Sequence, residues 1–549
     1  MYRPPTASVT RAMTADSQGA KELSLRTDTS IKTLADIPRQ YGARQPERMA
    51  IEYKQRRLNY GQLLSQSQRV AATLRREGIG KGDRVAFLGR NPDLYFLVLY
   101  GCSLIGAVFV PLNWRLAAAE LQHVLDDCEP ALLMLDRDFS AAFASAVGTK
   151  KLQPFSIDAH SGNHDLDDWF ASLASAHDLP AIEVDSGDVA VILYTSGTTG
   201  KAKGVQLAHR CLLEPRAAEM RLGTWMEWNE PEEKLFAALP LFHIGCLSAT
   251  MMAFYRGCAV VLMDQADPEA LLDAIAEKRL TRGLLVPTLI NLMLASPRIA
   301  ERDLSSLRLI MYGGSPIAPA ALTQALRLFK CDFAQGYGMS EVAGTCVFLE
   351  PRDHDLEQPQ HLLSIGKAGP TADLDVRSID GTPLPVGEVG ELWVRSLGLM
   401  KGYWRKPEED RLQMRDGWYR SGDAGYRDAD GYYYLTDRFK DMIVSGAENI
   451  YPAEVERELG AHPAVQECAV IGIPHERWGE AVHAIVVLKA GAATTAEELG
   501  GFLRTRLAGY KQPRSFEFSA GLPRNAFGKV VKYQLREPFW TGHSRRIGG

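Results

Sequence analysis

Between residues 60 and 330 the chain alternates helix-spaced and strand-like apolar segments, and this alternation restricts its fold more than any other feature. Tyr60 to Glu77 has apolar residues at helical spacing and stops at Gly78; Arg84–Leu88 is a short apolar run bounded by charge. The pattern returns over 187–330, with strand Ala259–Met263, helix Pro268–Lys278 and strand Gly283–Val286. Such alternation builds parallel sheets covered by helices, because a parallel connection needs a crossover long enough to hold a helix. From 363 to 436 the texture changes to short strands and Gly/Pro turns, as in Ile379-Asp380-Gly381-Thr382-Pro383 and Gly387–Val394, which predicts a small β-barrel-like subdomain. A compact α+β pattern follows Asp437. The expected fold is α/β: a large N-terminal domain of two parallel-rich αβ layers with that β subdomain over 31–437, then a small α+β domain over 438–549. Residues 1–30 are polar and read as a flexible lead-in without the apolar core of a signal peptide. The 549 residues exceed what one core sustains.

Leu94 to Leu112 is apolar and almost long enough to span a bilayer. Gly101, Gly106 and Pro111 interrupt it, and Ala107–Val110 suits a buried strand, so a buried helix followed by a parallel strand is expected and no membrane span. The net charge of −5 argues against nucleic acid as a partner. Eight cysteines are scattered without any CxxC pair, which excludes a zinc or redox motif and suits free thiols in a reducing cytoplasm.

Val189–Gly204, VAVILYTSGTTGKAKG, carries the chemistry. An apolar run to Tyr194 enters a loop of Thr195, Ser196, Gly197, Thr198, Thr199, Gly200, Lys201, Lys203 and Gly204. Glycines let backbone N–H groups turn toward an anion, hydroxyls add donors and lysines add charge, which is what a polyphosphate requires. The spacing is not that of a Walker A loop. A solvated hydroxyl-rich turn is the bland alternative, but it does not explain such a run directly after a buried strand.

This segment resembles the signature phosphate loop of the adenylate-forming superfamily: acyl-CoA synthetases, nonribosomal adenylation domains and firefly-type luciferases. Further similar motifs follow in order: Leu239–His243, Gly313–Ser315, Gln335–Glu341, Gly387–Arg395, Trp418–Asp423, Asp437–Asp441 and Pro523–Lys529. The resemblance covers roughly residues 35 to 540 and implies an AMP-binding domain, a mobile C-terminal lid domain and an active site between them. It implies ATP, Mg2+ and coenzyme A as co-substrate, acting on a small carboxylic acid. Glu341 with Ser340 would be the metal ligands, and Asp423 would accept from both ribose hydroxyls, a carboxylate offering two acceptors. Gly313, Gly314, Ser315, Gln335, Gly336, Tyr337, Gly338 and Met339 would wall the adenine, and Arg438 would reach the ribose or phosphates. Lys529 would bond the carboxylate and α-phosphate, and His243 would gate the acid. Lys440 would be the hinge that exchanges Lys529 for a thioester-forming face. That face would hold Gly446, in a GGEN-like segment with alanine for its second glycine, and Trp478 along a pantetheine tunnel. Arg115 would meet a CoA phosphate. Isolated, each residue has an ordinary structural reading: Glu341 and Asp423 as turn carboxylates, Tyr337 as core, His243 as a packed ring, Lys529 as one more solvated lysine.

The expected activity is therefore an AMP-forming acid–CoA ligase, on a fatty or other apolar acid; an aryl or arylalkanoate–CoA ligase or a stand-alone enzyme loading a carrier protein are the alternatives. A non-catalytic nucleotide-binding regulator conflicts with intact Glu341, Asp423 and Lys529. Phe242–Ala249 and Gly313–Ile317 hold no carboxylate for an ammonium, and Val342–Thr345 are small, so a mainly apolar acid is expected. A homodimer is left open.

Overall fold

The computed structural model describes residues 31–541 apart from 91, 148–153, 158–181, 196–201, 223, 227, 229–232, 265, 316, 358, 439–440, 446–447, 476–477, 505, 508 and 525–529. Two sheets dominate the first part of the chain. One has nine strands, with six parallel neighbours in its centre: Leu309–Gly313 and Asp332–Met339 on one side, Ala259–Leu262 and Met49–Tyr53 on the other, and Arg282–Leu285 and Lys234–Ala237 between. Antiparallel strands finish both edges. The other has seven strands, built on parallel Val189–Thr195, Val108–Pro111, Arg84–Leu88, Leu132–Asp136 and Pro154–Ile157. The expected parallel-rich layers are thus present.

Local chemistry explains the element ends. The Tyr60–Arg76 helix starts at Asn59, whose side chain accepts from Gln62 N–H while Gln62 reciprocates, and it stops before Gly78 at φ +83°. Helix Pro268–Lys278 begins with Asp267 as cap and proline in its first turn. The apolar Leu94–Leu112 stretch resolves into helix Leu94–Ile105, buried on all sides, then Gly106 at φ +71° and the central strand Val108–Pro111. An all-round apolar helix fits there because both sheets' cores meet it. No helix among the described residues is long and apolar enough to cross a membrane.

The third sheet has five strands, Ala372–Arg377, Gly390–Ser396, Trp418–Arg427, Met414–Arg415 and Tyr433–Arg438. Among the described residues its end strands do not pair with each other, which makes it a curled half-barrel. The last sheet orders Glu448–Ile450, Ile443–Ser445, Gly479–Leu488 and Val465–His475, with Ser515–Phe518 joining the third of these in parallel. Helices Pro452–Gly460 and Ala496–Arg504 bury Val455, Leu459, Leu499 and Leu503 against it, giving the expected α+β unit its own core. By compactness the chain divides into residues 1–373 with 394–419, and 374–393 with 420–549.

Candidate active site

In the first unit, the Val189–Thr195 strand returns antiparallel as Lys203–Ala208, with Thr195 opposite Lys203. Ser196, Gly197, Thr198, Thr199, Gly200 and Lys201, between the two strands in sequence, lie outside the described residues. Lys203 is buried, its ammonium 2.6 Å from Glu409 and over the Tyr403 ring. In this position it braces the base of the loop, a role its sequence motif did not show. Tyr194 Oη donates to Asp127 at 2.6 Å, and Trp404 N donates to the Gly204 carbonyl at 2.7 Å, fastening the hairpin on both sides.

The nine-stranded sheet supplies a flat wall. Gly313 lies opposite Gly336 in parallel register, and a Cβ on Gly313 would collide with the Gly336 carbonyl oxygen. A Cβ on Gly336 would stand 2.8 Å from Thr345 Cγ2, and one on Gly338 would collide with the Gly344 carbonyl. Gly313 and Gly338 are required by backbone approach and Gly336 by the Thr345 side chain, and the strand is left bare of side chains on either side of Tyr337. Gly314 adopts φ +80° and turns the chain so that Ser315 is exposed at the strand end. Gln335 Oε1 accepts from Tyr312 Oη at 3.5 Å, and Tyr312 also meets His354 Nε2 at 3.0 Å. Met339 packs on the main core.

The Asp332–Met339 strand then enters a short turn, Ser340–Val342, closed by Ala343 at φ +56°. Glu341 Oε1 accepts from Tyr403 Oη at 2.9 Å, and Tyr403 Oη lies 3.0 Å from Tyr419 Oη. Met400 N–H donates to the Glu341 carbonyl at 2.8 Å. Glu341 is thus held by side chain and backbone together. Burial and the adjacent Glu341 charge push both phenols well above their usual range, so they act as donors and not as anions. One oriented carboxylate beside Ser340 suits Mg2+ bound with polyphosphate, which takes few protein oxygens and the rest from phosphate and water.

His243 stands at the N-cap position of helix Ile244–Tyr255 without a side-chain capping bond, its ring 4.2 Å from that of Phe242 and edge-to-face with it. Burial first, then the Arg115 charge, lowers its pKa to about 3, so the imidazole is neutral near pH 7. Arg115 lies over Trp114, which in turn meets Phe242. The structure thereby brings Arg115 and His243, read from distant motifs, into one aromatic–cationic cluster.

In the second unit, Asp423 N–H donates to Ser421 Oγ at 3.0 Å and the preceding Gly422 takes φ +71°. Glu391, 3% exposed, fixes this turn by accepting from Gly422 N–H at 3.2 Å and pairing with Arg420 at 2.9 Å. Asp423 and Arg438 are partners across the antiparallel strands, which sets both on one pair of backbones. Trp478 stacks on His475 with centroids 4.3 Å apart, and the Arg514 guanidinium lies 4.8 Å from its ring. Gly446, the hinge candidate Lys440 and Lys529 fall outside the described residues. Sequence reading did not single out Tyr403 or Glu409, and it held Tyr419 and Glu391 only as members of the Trp418–Asp423 and Gly387–Arg395 motifs, without a role for either.

The AMP-binding enzyme family model matches residues 39–404, and that of the AMP-binding enzyme C-terminal domain matches 454–529. A feruloyl-CoA synthase of Amycolatopsis sp. is 39% identical over 90% of this chain and 96% of its own length. A fatty acid–[acyl-carrier-protein] ligase of Streptomyces coeruleorubidus is 37% identical over 94% and 98%. Among solved structures, o-succinylbenzoate CoA synthetase from Bacillus subtilis, in complex with its acyl-adenylate intermediate, superposes with a TM-score of 0.80 at 31% identity, over 93% of this chain and 99% of that one. The chain belongs to the AMP-binding enzyme family. It is an ATP-dependent, AMP-forming acid–thiol ligase, with Mg2+ as metal and coenzyme A as co-substrate.

Proposed function

We propose that the acid is aryl or arylalkanoic, activated as its acyl-adenylate and passed to coenzyme A as a thioester. The geometry that carries the reaction is the glycine-floored strand Asp332–Met339 ending in a Glu341 carboxylate oriented by Tyr403. The acid class rests on the feruloyl-CoA and o-succinylbenzoate relatives, both named for aromatic acids. A fatty acid is the second reading, favoured by the carrier-protein ligase relative.

A carboxylate is a poor acyl donor because oxide cannot leave. Its attack on the α-phosphorus of ATP forms a mixed anhydride and releases pyrophosphate, so two anions must be brought together. When bound, Mg2+ supplies charge neutralisation at the phosphates. Glu341 and Ser340 hold the metal, Tyr403 fixing the carboxylate's orientation. Gly313–Ser315 and Gln335–Met339 receive the adenine against their bare backbone, and the Thr195–Gly200 loop the phosphates. Asp423 accepts from the ribose hydroxyls, and Arg438 adds charge nearby. His243, held neutral, gates the acid without adding charge beside its carboxylate, and Arg115 contributes a cation for phosphate. Lys529 donates to the charge that grows in the first half-reaction; Gly446 and Trp478 serve the second. Residues 31–437 act as the AMP-binding domain and 438–549 as a lid that turns about Lys440, a boundary of motion rather than of compactness. All eight cysteines are thiols, in keeping with a cytoplasmic site of action.

A panel of cinnamic, phenylpropanoic and C6–C16 fatty acids, assayed by pyrophosphate release, tests the acid class. The aryl acids are expected to give the higher kcat/KM. A fatty acid exceeding all of them would replace this reading with the second.

A further inference from the structure

We propose that Arg216 is a positioning residue for the adenylation step: acting through Ser248, it fixes the Gly344 end of the turn that carries Ser340 and Glu341, and so sets how tightly that turn holds Mg2+. The proposal rests on the reading of Glu341 as a holder of the metal. All the residues involved lie in the first unit. Strands Asp332–Met339 and Gly344–Leu349 are antiparallel, with Met339 opposite Gly344 and Gly338 opposite Thr345. Ser340 to Ala343 connect them, so the stance of Glu341 depends on the residues that close this turn. Both closing residues take positive φ, Ala343 at +56° and Gly344 at +119°. Side chains with a Cβ rarely adopt the second value, and a glycine adopts so many others that local preference does not keep it there. Its neighbours do. A Cβ on Gly344 would collide with Ser248 Oγ and stand 3.7 Å from Arg216 Nη2, so the Gly344 backbone lies against these two side chains. Ser248, 5% exposed on helix Ile244–Tyr255, accepts a hydrogen bond from Arg216 Nη2.

Arg216 is buried on helix His209–Leu222, and the same helix reaches the other side of the turn. Cys211 Sγ donates to the Leu399 carbonyl at 3.0 Å, and the next residue, Met400, donates its N–H to the Glu341 carbonyl at 2.8 Å. A Cβ on Gly398 would collide with the Val342 carbonyl, so this segment packs directly on the turn. The turn is therefore held between the Gly398–Met400 segment and Ser248, and helix His209–Leu222 bonds to both. Removing the guanidinium frees the Ser248 hydroxyl to change rotamer and releases Gly344, while Tyr403 still donates to Glu341 Oε1. A carboxylate on a looser turn loses more conformational entropy when it takes up metal, which weakens the site without abolishing it.

The test uses the full chain with Ser248→Ala, Arg216→Met and Arg216→Lys. In Mg2+ titrations of pyrophosphate release, Ser248→Ala should raise the half-maximal Mg2+ concentration about two- to tenfold, the range one hydrogen bond spans. Arg216→Met should raise it at least as much, and Arg216→Lys, which keeps a donor, should recover part of the loss. The maximal rate should change less than the midpoint. In the protein without metal or nucleotide, amide hydrogen exchange over residues 339–345 should be faster in Ser248→Ala than in the wild type. An unchanged Mg2+ midpoint in Ser248→Ala, or unchanged exchange over that segment, overturns the proposal even if Arg216→Met fails to fold. So does a lower urea midpoint in Arg216→Met accompanied by neither change, the pattern of a residue that serves stability alone. Glu341→Gln, titrated alongside, separates the proposal from the reading beneath it. A shifted midpoint there with none in Ser248→Ala overturns this proposal alone. No shift in Glu341→Gln overturns the metal reading and the proposal together.

Discussion

Tyr403 shows how much of this site is set by single hydroxyls. Its O–H holds Glu341 in one orientation, with Tyr419 behind it. Tyr403→Phe removes that donor while keeping the ring over Lys203, so the Mg2+ concentration for half-maximal adenylation should rise several-fold with little change in folding. A Mg2+ titration of pyrophosphate release checks this; an unchanged midpoint would make Tyr403 a packing residue. Glu409→Gln should act on stability instead. It strips the partner from Lys203, whose side chain is 8% exposed, and leaves a buried ammonium. A loss of about 1–3 kcal/mol is expected, below that of a fully enclosed pair because Glu409 is 27% exposed, and urea denaturation measures it. At this scale the sequence showed residue types but not partners. Glu341, Asp423, His243 and Glu391 stood in recognisable motifs, whereas Tyr403 and Glu409 act through contacts 62 and 206 residues away in the chain, for which local spacing carries no signal.

At the scale of elements, patterning and punctuation agreed with the fold wherever both were present. Helix Pro268–Lys278 has an aspartate cap, a first-turn proline and a clean apolar stripe, and its observed bounds coincide with the expected ones. The apolar run before Pro240 forms strand Lys234–Ala237 and no further, because Pro240 and the turn to His243 withdraw its last residues from the ladder. Missing altogether from sequence reading was the burial of Arg216 and Glu219, since an arginine on helix His209–Leu222 reads as surface until the helix is packed. His209, at the start of that helix, accepts from Leu34 N–H through Nδ1 at 3.1 Å, and burial lowers its pKa to about 4. The unfolded chain, with the ordinary value near 6.5, then binds a proton more readily than the folded one. Stability is therefore full above pH 6.5 and lost as pH falls toward 4, by roughly 3 kcal/mol from this group. His209→Gln should flatten that slope in chemical denaturation between pH 4 and 6.5; an unaltered slope would assign it elsewhere. The glycine wall is equally specific. Gly338→Ala drives a methyl into the Gly344 carbonyl and should cost about 1–3 kcal/mol or displace the strand, raising the KM for ATP.

For the whole molecule, the central claim is that one chain performs two reactions in sequence through an acyl-adenylate. The order of motifs from Val189 to Lys529 made the class legible, because a two-step reaction on ATP uses many dispersed residues. The acid was not legible, because no motif of the chain specifies it; its class is proposed from the names of relatives rather than from spacing. Lys529→Ala should slow adenylation by roughly 10²–10³, the usual loss for a donor to developing charge, while supplied acyl-AMP and CoA still react near the normal rate. Trp478→Ala should do the reverse. The most direct measurement is a rapid-quench single turnover with acid, ATP and Mg2+ but no CoA, followed by a CoA chase. The account predicts acyl-AMP and pyrophosphate in equal amounts up to one per active site, converted by CoA to acyl-CoA and AMP. ADP and phosphate as first products, or acyl-CoA forming from the chase without prior acyl-AMP, would contradict it.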